Sequence, residues 1–302
     1  MDSAPRQKRW EWRVRLLVSG GTGLLGQGFL RLLQESGEHE ARCFVRKTSA
    51  VGRLEGLDLA YGDAMDVGSL EKALRGMDAF VHIAGIEYTS QVLEAMRRAG
   101  VERLLIVSST SAHSRFEFRS APRLTNEALL AKSGFRWTVV RPSMIYGSEL
   151  DHNMHKLLRF VDRSPVFPLF GSGENLWQPV YYEDLAQGLY AALTQPGTDG
   201  QIYDLPGARA LRYVDLVRVA ASSLGRKVRI IRIPAEPVRR GLLLAERLRV
   251  PLPIKSEQVL RLREDKTYPY DKARKELGYE PRTFEEGIAA EAERLREIGL
   301  VR

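Results

Sequence analysis

The chain has 302 residues, 44% hydrophobic and 28% charged, which is enough apolar material for a large core and far from the composition of a disordered chain. No apolar run approaches the ~18 residues of a membrane-spanning helix, and the single cysteine, Cys43, makes no internal disulfide. The net charge of +8 is spread along the chain, without zinc-finger spacing or an aromatic-basic motif; this speaks against nucleic acid and suits anionic small molecules. Residues 1–12 are polar and charged, with no signal-peptide core. They read as a short tail, and a cytoplasmic protein is expected.

From there short apolar runs alternate with helical patterns. The spacing predicts strands at 13–18, 41–45, 57–61, 79–83, 104–107 and 137–140. Helices are predicted at 24–34, 69–74, 90–98 and 125–132. Strict alternation of this kind calls for parallel pairing through right-handed crossovers. The fold class is therefore α/β: a Rossmann-type doubly wound parallel sheet over residues 13–147. After Gly147 the rhythm loosens. Residues 154–161 read as helix, 165–173 as a Pro/Gly/Phe-rich loop, 182–193 as helix and 201–205 as strand. Then come 213–224 (helix), 228–233 (strand), 238–248 (helix) and 284–298 (helix). Residues 176–205 are expected to return to the sheet. Residues 148–175 and 206–302 are expected to form a smaller carboxyl-terminal α/β substrate domain.

Ser19-Gly20-Gly21-Thr22-Gly23-Leu24-Leu25-Gly26 follows a strand and opens a helix, the setting in which a glycine fingerprint has meaning. Gly20 permits the tight turn, Gly23 lets a pyrophosphate approach the backbone, and Gly26 lets the helix pack on the strand. The amides around Thr22, Leu24 and Leu25 then face the phosphates with the positive end of the helix dipole. The second strand ends in Phe44-Val45-Arg46-Lys47-Thr48-Ser49. An NAD site usually ends that strand with a carboxylate for the ribose 2′-hydroxyl. Arg46, Lys47 and Ser49 instead suit a 2′-phosphate, so NADP(H) is expected over NAD(H). Asp63 and Ala64 after the third strand are candidates for the adenine side, and Asp66 is a candidate helix cap. Ala84 and Gly85 after the fourth strand are small enough for backbone to lie along the coenzyme.

Together with Gly62-Asp63, Ser108-Ser109-Thr110, Arg141-Pro142-Ser143-Met144-Ile145-Tyr146-Gly147, Gln178-Pro179-Val180, Glu183-Asp184-Leu185-Ala186 and Leu277-Gly278-Tyr279-Glu280-Pro281, these motifs resemble the short-chain dehydrogenase/reductase superfamily. The resemblance is to its extended and atypical branch of NAD(P)-binding epimerase/dehydratase proteins. It runs from Arg13 to about Ile298. It implies a coenzyme lying across the strand ends from Gly20 to Ser143, with Ser108 and Pro142 along its path. It also implies a small substrate, nucleotide-sugars among the candidates, and leaves a homodimer open. The family's Tyr-x-x-x-Lys pair is missing: the expected positions fall on Arg119 and Arg123. Arginine stays protonated and is a poor general acid or base, although Arg123 suits a ribose or a phosphate. The string Tyr268-Pro269-Tyr270-Asp271-Lys272 is discounted, because Pro269 breaks the helix the pair needs.

Proton transfer must then come from elsewhere. Thr110 is the candidate to polarise a carbonyl, while His113 and Tyr88 are candidates to exchange the proton. Tyr146, Asn153 and Gln178 stand where the resemblance places substrate contacts, Gln178 equally suiting a local turn. His152 and His155 lack a third convergent ligand, so no metal is expected. Residues 238–250 combine Arg239, Arg240, Arg247 and Arg249 with Leu242, Leu243, Leu244 and Leu248. The preferred expectation is that these leucines pack on the domain beneath, the other that the helix lies on an anionic membrane. The expected function is an NADP(H)-dependent oxidoreductase or epimerase/dehydratase-like protein with non-standard catalytic residues. The alternative is a non-catalytic NADPH-holding structural or regulatory subunit, like the nucleotide-binding accessory subunit of respiratory complex I or the negative transcriptional regulators.

Overall fold

The computed structural model describes residues 14–248, 250 and 264–302; the expected tail at 1–12, and Arg249, lie outside them. In chain order the strands and helices are β1 (Val14–Ser19), α1 (Leu24–Ser36), β2 (His39–Val45), β3 (Asp58–Tyr61), α2 (Val67–Leu74), β4 (Ala79–His82) and α3 (Thr89–Ala99). Then come β5 (Arg103–Val107), α4 (Glu117–Ala131), β6 (Arg136–Pro142), β7 (Ile145–Tyr146), α5 (Met154–Arg163), β8 (Val166–Phe170), β9 (Leu176–Trp177) and β10 (Val180–Tyr181). The chain continues through α6 (Tyr182–Thr194), β11 (Gln201–Leu205), β12 (Leu211–Arg212), α7 (Tyr213–Ser223), β13 (Arg229–Ile233) and α8 (Ala235–Arg247). The last two helices are α9 (Asp271–Leu277) and α10 (Phe284–Glu297).

Two compact units emerge. The first takes the described chain up to Ile145, with Tyr182–Pro206 and Pro269–Pro281. Its seven-stranded sheet runs β11-β6-β5-β4-β1-β2-β3, and its strand pairs are parallel. This is the α/β doubly wound architecture that the alternation of runs predicts. β5 is buried at every residue and β1 at all but Arg15, as a sheet covered on both faces requires. Leu17, Phe80, Leu104 and Val139 of the strands pack with Leu70, Leu74, Val92 and Met96 of α2 and α3. α1 packs on α6, where a Cβ at Gly28 would meet Tyr182 and Ala186. Helix ends follow local chemistry. Gly37 and Gly100 close α1 and α3 in the left-handed region, and the Asp66 carboxylate accepts from the Gly68 amide to cap α2.

The differences from expectation have physical causes. α4 starts eight residues earlier than its apolar pattern, because it buries only Ser120, Glu127 and Leu130 and carries Pro122 inside. α9, which sequence periodicity misses, belongs to the first unit rather than to the carboxyl-terminal domain. Tyr279 donates to the Pro206 carbonyl at 2.8 Å, and Tyr203 to Glu276 at 2.7 Å. Tyr268 lies outside the helix that begins at Asp271, and Lys272 donates to Gln201 and to the Ile202 carbonyl.

The described residues of the second unit come from Tyr146–Tyr181, Gly207–Tyr268 and Arg282–Arg302. Leu176–Tyr181, expected to return to the sheet, falls here. Its core gathers the apolar faces of α5, α7 and α10. Residues 166–170, expected as loop, form β8 and pair in parallel with β13. The partner lies some sixty residues on, and a two-stranded sheet makes each strand an edge that tolerates Pro168. No helix among the described residues is long and apolar enough to cross a membrane.

Candidate coenzyme and active site

The phosphate loop occupies the carboxyl end of β1, the central strand at which chain order reverses between β2 and β4. Gly20 has φ +77°, and a Cβ there would stand 3.0 Å from the Ala84 amide nitrogen. The loop is therefore pressed against the turn after β4. The Gly23 amide closes the turn on the Gly20 carbonyl at 3.0 Å. A Cβ at Gly26 would come within 2.1 Å of that same oxygen, so α1 starts where only glycine fits. No side chain caps α1 at Gly23. The first-turn amides at Leu24, Leu25 and Gly26 thus keep the open end of the helix dipole. Around Gly23, among the described residues other than its chain neighbours and its own helix backbone, the Gly20 oxygen alone lies within 4 Å of an added Cβ. A cradle of backbone amides with room beside it fits a pyrophosphate.

Beneath the loop the Ser19 hydroxyl and His82 Nδ1 lie 2.7 Å apart. His82 is fully buried, and burial holds its imidazole down at about 4, so it is neutral at physiological pH. Arg46 and Lys47 are exposed after β2, and the Ser49 amide turns back to the Arg46 carbonyl at 2.9 Å. Arg53, which the sequence reading does not single out, reaches Gln27 at 3.5 Å, and Gln27 donates to the Thr22 carbonyl at 2.9 Å. A cation from the turn between β2 and β3 thus connects to the phosphate loop. After β3, the Asp63 carboxylate accepts from the Met65 amide at 2.9 Å, which holds Asp63 and Ala64 in a tight turn. Gly85, with φ +123°, lies under Glu87: a Cβ there would meet the carboxylate at 2.6 Å. Glu87 is itself paired with Arg123 at 2.7 Å. Tyr88 sets its ring edge-on to His82.

On the far side of the edge the Ser/Thr run is turned inward. Ser108 donates to Glu127 at 2.7 Å, Ser109 accepts from the Ser111 amide, and Thr110, buried, donates to the Pro142 carbonyl at 3.2 Å. Thr110 therefore spends its hydroxyl on backbone. Glu127 is gripped by Arg141 through Nε at 2.9 Å and through Nη2. His113 remains half exposed, with Nε2 at 3.0 Å from both oxygens of Asp204 on β11. A carboxylate at that distance suits a proton on Nε2. Arg141 Nη1 lies 3.3 Å from Nε2. Glu127, Arg141 and Asp204 complete a network that local sequence cannot reveal, since His113 and Asp204 are 91 residues apart. Ser143 follows Pro142 at the same edge.

Tyr146, Asn153 and Gln178 lie in the second unit. Tyr146 is only 1% exposed and packs against Tyr181, Phe284 and Gly287. Gln178 is buried, with its amide donating to the Gly207 carbonyl and accepting from the Tyr268 amide, both at 2.8 Å. Both partners are remote in sequence, so Gln178 ties distant segments of the second unit together and does not serve a local turn. Asn153 is exposed at the start of α5, its backbone amide donating to Asp151. His155 turns to the same carboxylate. Among the described residues, no group of three metal-ligating side chains is placed to hold an ion.

Residues 20–163 match the NAD(P)H-binding family. An NAD(P)H azoreductase of Xenophilus azovorans is 26% identical over 239 residues, covering 75% of this chain and 80% of that protein. A 3β-hydroxysteroid dehydrogenase/Δ5→4-isomerase of Mycobacterium tuberculosis is 27% identical over 319 residues, covering 88% and 86%. The solved structure of a nucleoside-diphosphate-sugar epimerase from Pseudomonas aeruginosa superposes with a TM-score of 0.78 at 21% identity, covering 96% of this chain and 99% of that one. The stretch 20–163 thus resembles the NAD(P)H-binding family, and the chain shares the fold of the solved epimerase structure.

Proposed function

We propose that the protein is an NADP(H)-dependent oxidoreductase acting on a small carbonyl–alcohol pair, with His113 exchanging the proton and Asp204 holding its ring. The observation that carries this reading is the His113–Asp204 pair, with Nε2 3.0 Å from both oxygens at the carboxyl edge of the dinucleotide-binding sheet. It offers proton chemistry where Arg119 and Arg123 replace the expected tyrosine and lysine.

In this reading the loop at Gly20–Gly26 binds the pyrophosphate, and Arg46, Lys47 and Ser49 bind a 2′-phosphate, with Asp63 and Ala64 on the adenine side. Ala84, Gly85, Ser108, Pro142 and Ser143 border the rest of the dinucleotide, and Arg123, held by Glu87, lies on the ribose side. A bound nicotinamide supplies or accepts the hydride. In the reducing direction His113 gives a proton to the oxygen as the carbonyl carbon gains hydride; in the other direction it takes that proton away. Asp204 keeps the imidazole in one tautomer through the cycle. The name of the hydroxysteroid dehydrogenase relative supports a carbonyl–alcohol couple, and that of the epimerase keeps nucleotide-sugars among the substrates to try. The cytoplasm is the setting this reading assumes.

The test follows nicotinamide absorbance and product formation over carbonyl and nucleotide-sugar panels, with wild type and His113→Asn. Turnover that collapses in the variant while NADPH affinity stays unchanged supports the reading. Tight NADPH binding with no product from any substrate would replace it with the nucleotide-holding alternative.

A further inference from the structure

The helices of the second unit differ in what they bury. α5, α7 and α10 bury four, five and six residues. α8 has none among its described side chains. The expectation that its leucines pack on the domain beneath is not met for Leu243 and Leu248, and the Leu244 side chain lies outside the described ones. Val238, Leu242 and Ala245, at helical spacing, are only half buried, and Leu243 is 37% and Leu248 67% exposed. β13, just before it, buries nothing either and leaves Ile231 46% exposed. The stretch that carries these apolar side chains is predominantly cationic. Between Arg226 and Leu248 stand Arg226, Lys227, Arg229, Arg232, Arg239, Arg240 and Arg247 against Glu236 and Glu246, a local net of +5 in a chain whose total is +8.

Some of these cations have carboxylate neighbours. Arg239 and Arg240 share Glu236, Arg226 meets Asp162, and Arg232 lies 3.7 Å from Glu174. Two arginines on one glutamate still leave a positive surface, and α8 ends in Arg247 beside the exposed Leu248.

We propose that β13 and α8 form a docking surface for an anionic lipid bilayer. A short amphipathic helix with half-buried leucines and flanking arginines lies in the plane of a bilayer, its apolar side among the acyl chains and its cations at the phosphates. Charge complementarity selects the occupant. A neutral protein surface has no use for seven cations, whereas an anionic leaflet attracts each of them within a Debye length. The inference is independent of the coenzyme reading, since no residue of the phosphate loop or of the His113 network takes part.

The test is sedimentation of the full chain with phosphatidylcholine vesicles, with and without phosphatidylglycerol, at low and high salt. A duplex DNA is titrated in parallel. The expected result is association with the anionic vesicles alone, weakened by salt. Each cation near such a surface contributes roughly fivefold to partitioning, so the triple variant Arg239→Gln/Arg240→Gln/Arg247→Gln should bind roughly a hundredfold less. Leu248→Asp should also weaken binding. Circular dichroism and unchanged melting confirm that the variants are folded. Equal binding to neutral vesicles, binding to neither, a triple variant that binds like wild type, or capture of DNA with vesicles ignored would each overturn the proposal.

Discussion

The two halves of the carboxyl edge in the first unit are built on opposite plans. After β1 the chain turns with glycine and leaves backbone amides open, and after β2 it exposes the Arg46 and Lys47 side chains. After β5 and β6, polar side chains are tied to one another: Ser108 to Glu127, Glu127 to Arg141, Thr110 to the Pro142 carbonyl, His113 to Asp204. The first plan suits a ligand that brings its own charge and is held by backbone dipoles. The second suits a group that must keep one orientation while protons move. His113 is the half-exposed member of that second network.

The sharpest way to break this contrast is His113→Asn, which keeps the ring's approximate volume and removes the titrating atom. Turnover should fall by roughly 10²–10⁴ with NADPH affinity unchanged. A variant that keeps its rate leaves the far half without a proton-transfer role. The next effect belongs to the near half. Gly26→Ala places a Cβ against the Gly20 carbonyl, and coenzyme binding should weaken by roughly a hundredfold, as overpacking of a tight contact does. Calorimetry with circular dichroism separates this from loss of fold, and wild-type affinity would mean the loop is not gripped as described.

Buried glutamates sharpen the contrast in another way. Glu127 is buried with a cation, Arg141, on its carboxylate. Glu291, in the second unit, is fully buried, and burial together with the nearby Asp151 and Glu149 pushes its carboxyl up to about 11. A pKa raised on folding contributes stability that is full below the unfolded value near 4.3 and drains away as pH climbs toward the folded value. Glu291→Gln removes that drain. It should leave stability little changed near pH 4.5 and raise it by at most about 4 kcal/mol at pH 7. Melting temperatures of the two proteins across pH decide it; curves that run parallel would show that Glu291 folds as an ordinary carboxylate. Glu127→Gln should do the reverse, destabilising the first unit by about 3 kcal/mol because the largely buried Arg141 guanidinium loses its nearer carboxylate, Asp204 standing 4.0 Å away. Denaturant unfolding measures it.

The legibility of the molecule from its sequence follows the same divide. Glycine turns, strand alternation and the Asp66 cap are local, and each was readable within a few residues. The phosphate loop is read off Gly20, Gly23 and Gly26 because steric need and residue type coincide there. The His113–Asp204 pair joins residues that only strand order brings together, so Asp204 and Glu127 carried no signal, and Arg141 stood out as a motif residue without its connection. Thr110 and Tyr146 have the right chemistry in the right stretch, yet burial and partners decide what a hydroxyl does. β8 was hidden because its pairing partner is remote. α8 shows the converse: an amphipathic pattern states that a face wants cover and says nothing of what covers it.

The smallest effect concerns the strand end at β2. Arg46→Asp should erase a preference for NADPH of roughly tenfold to a hundredfold, the worth of a charge-assisted bond to a phosphate. The central claim, that the β1 turn and the cations after β2 together hold a phosphorylated dinucleotide, is tested most directly by titrating folded wild-type protein with NADPH and NADH in a calorimeter. The account predicts saturable binding of both, with NADPH at least ~10-fold tighter. Equal affinities would contradict the cationic site, and no binding of either would contradict the account as a whole.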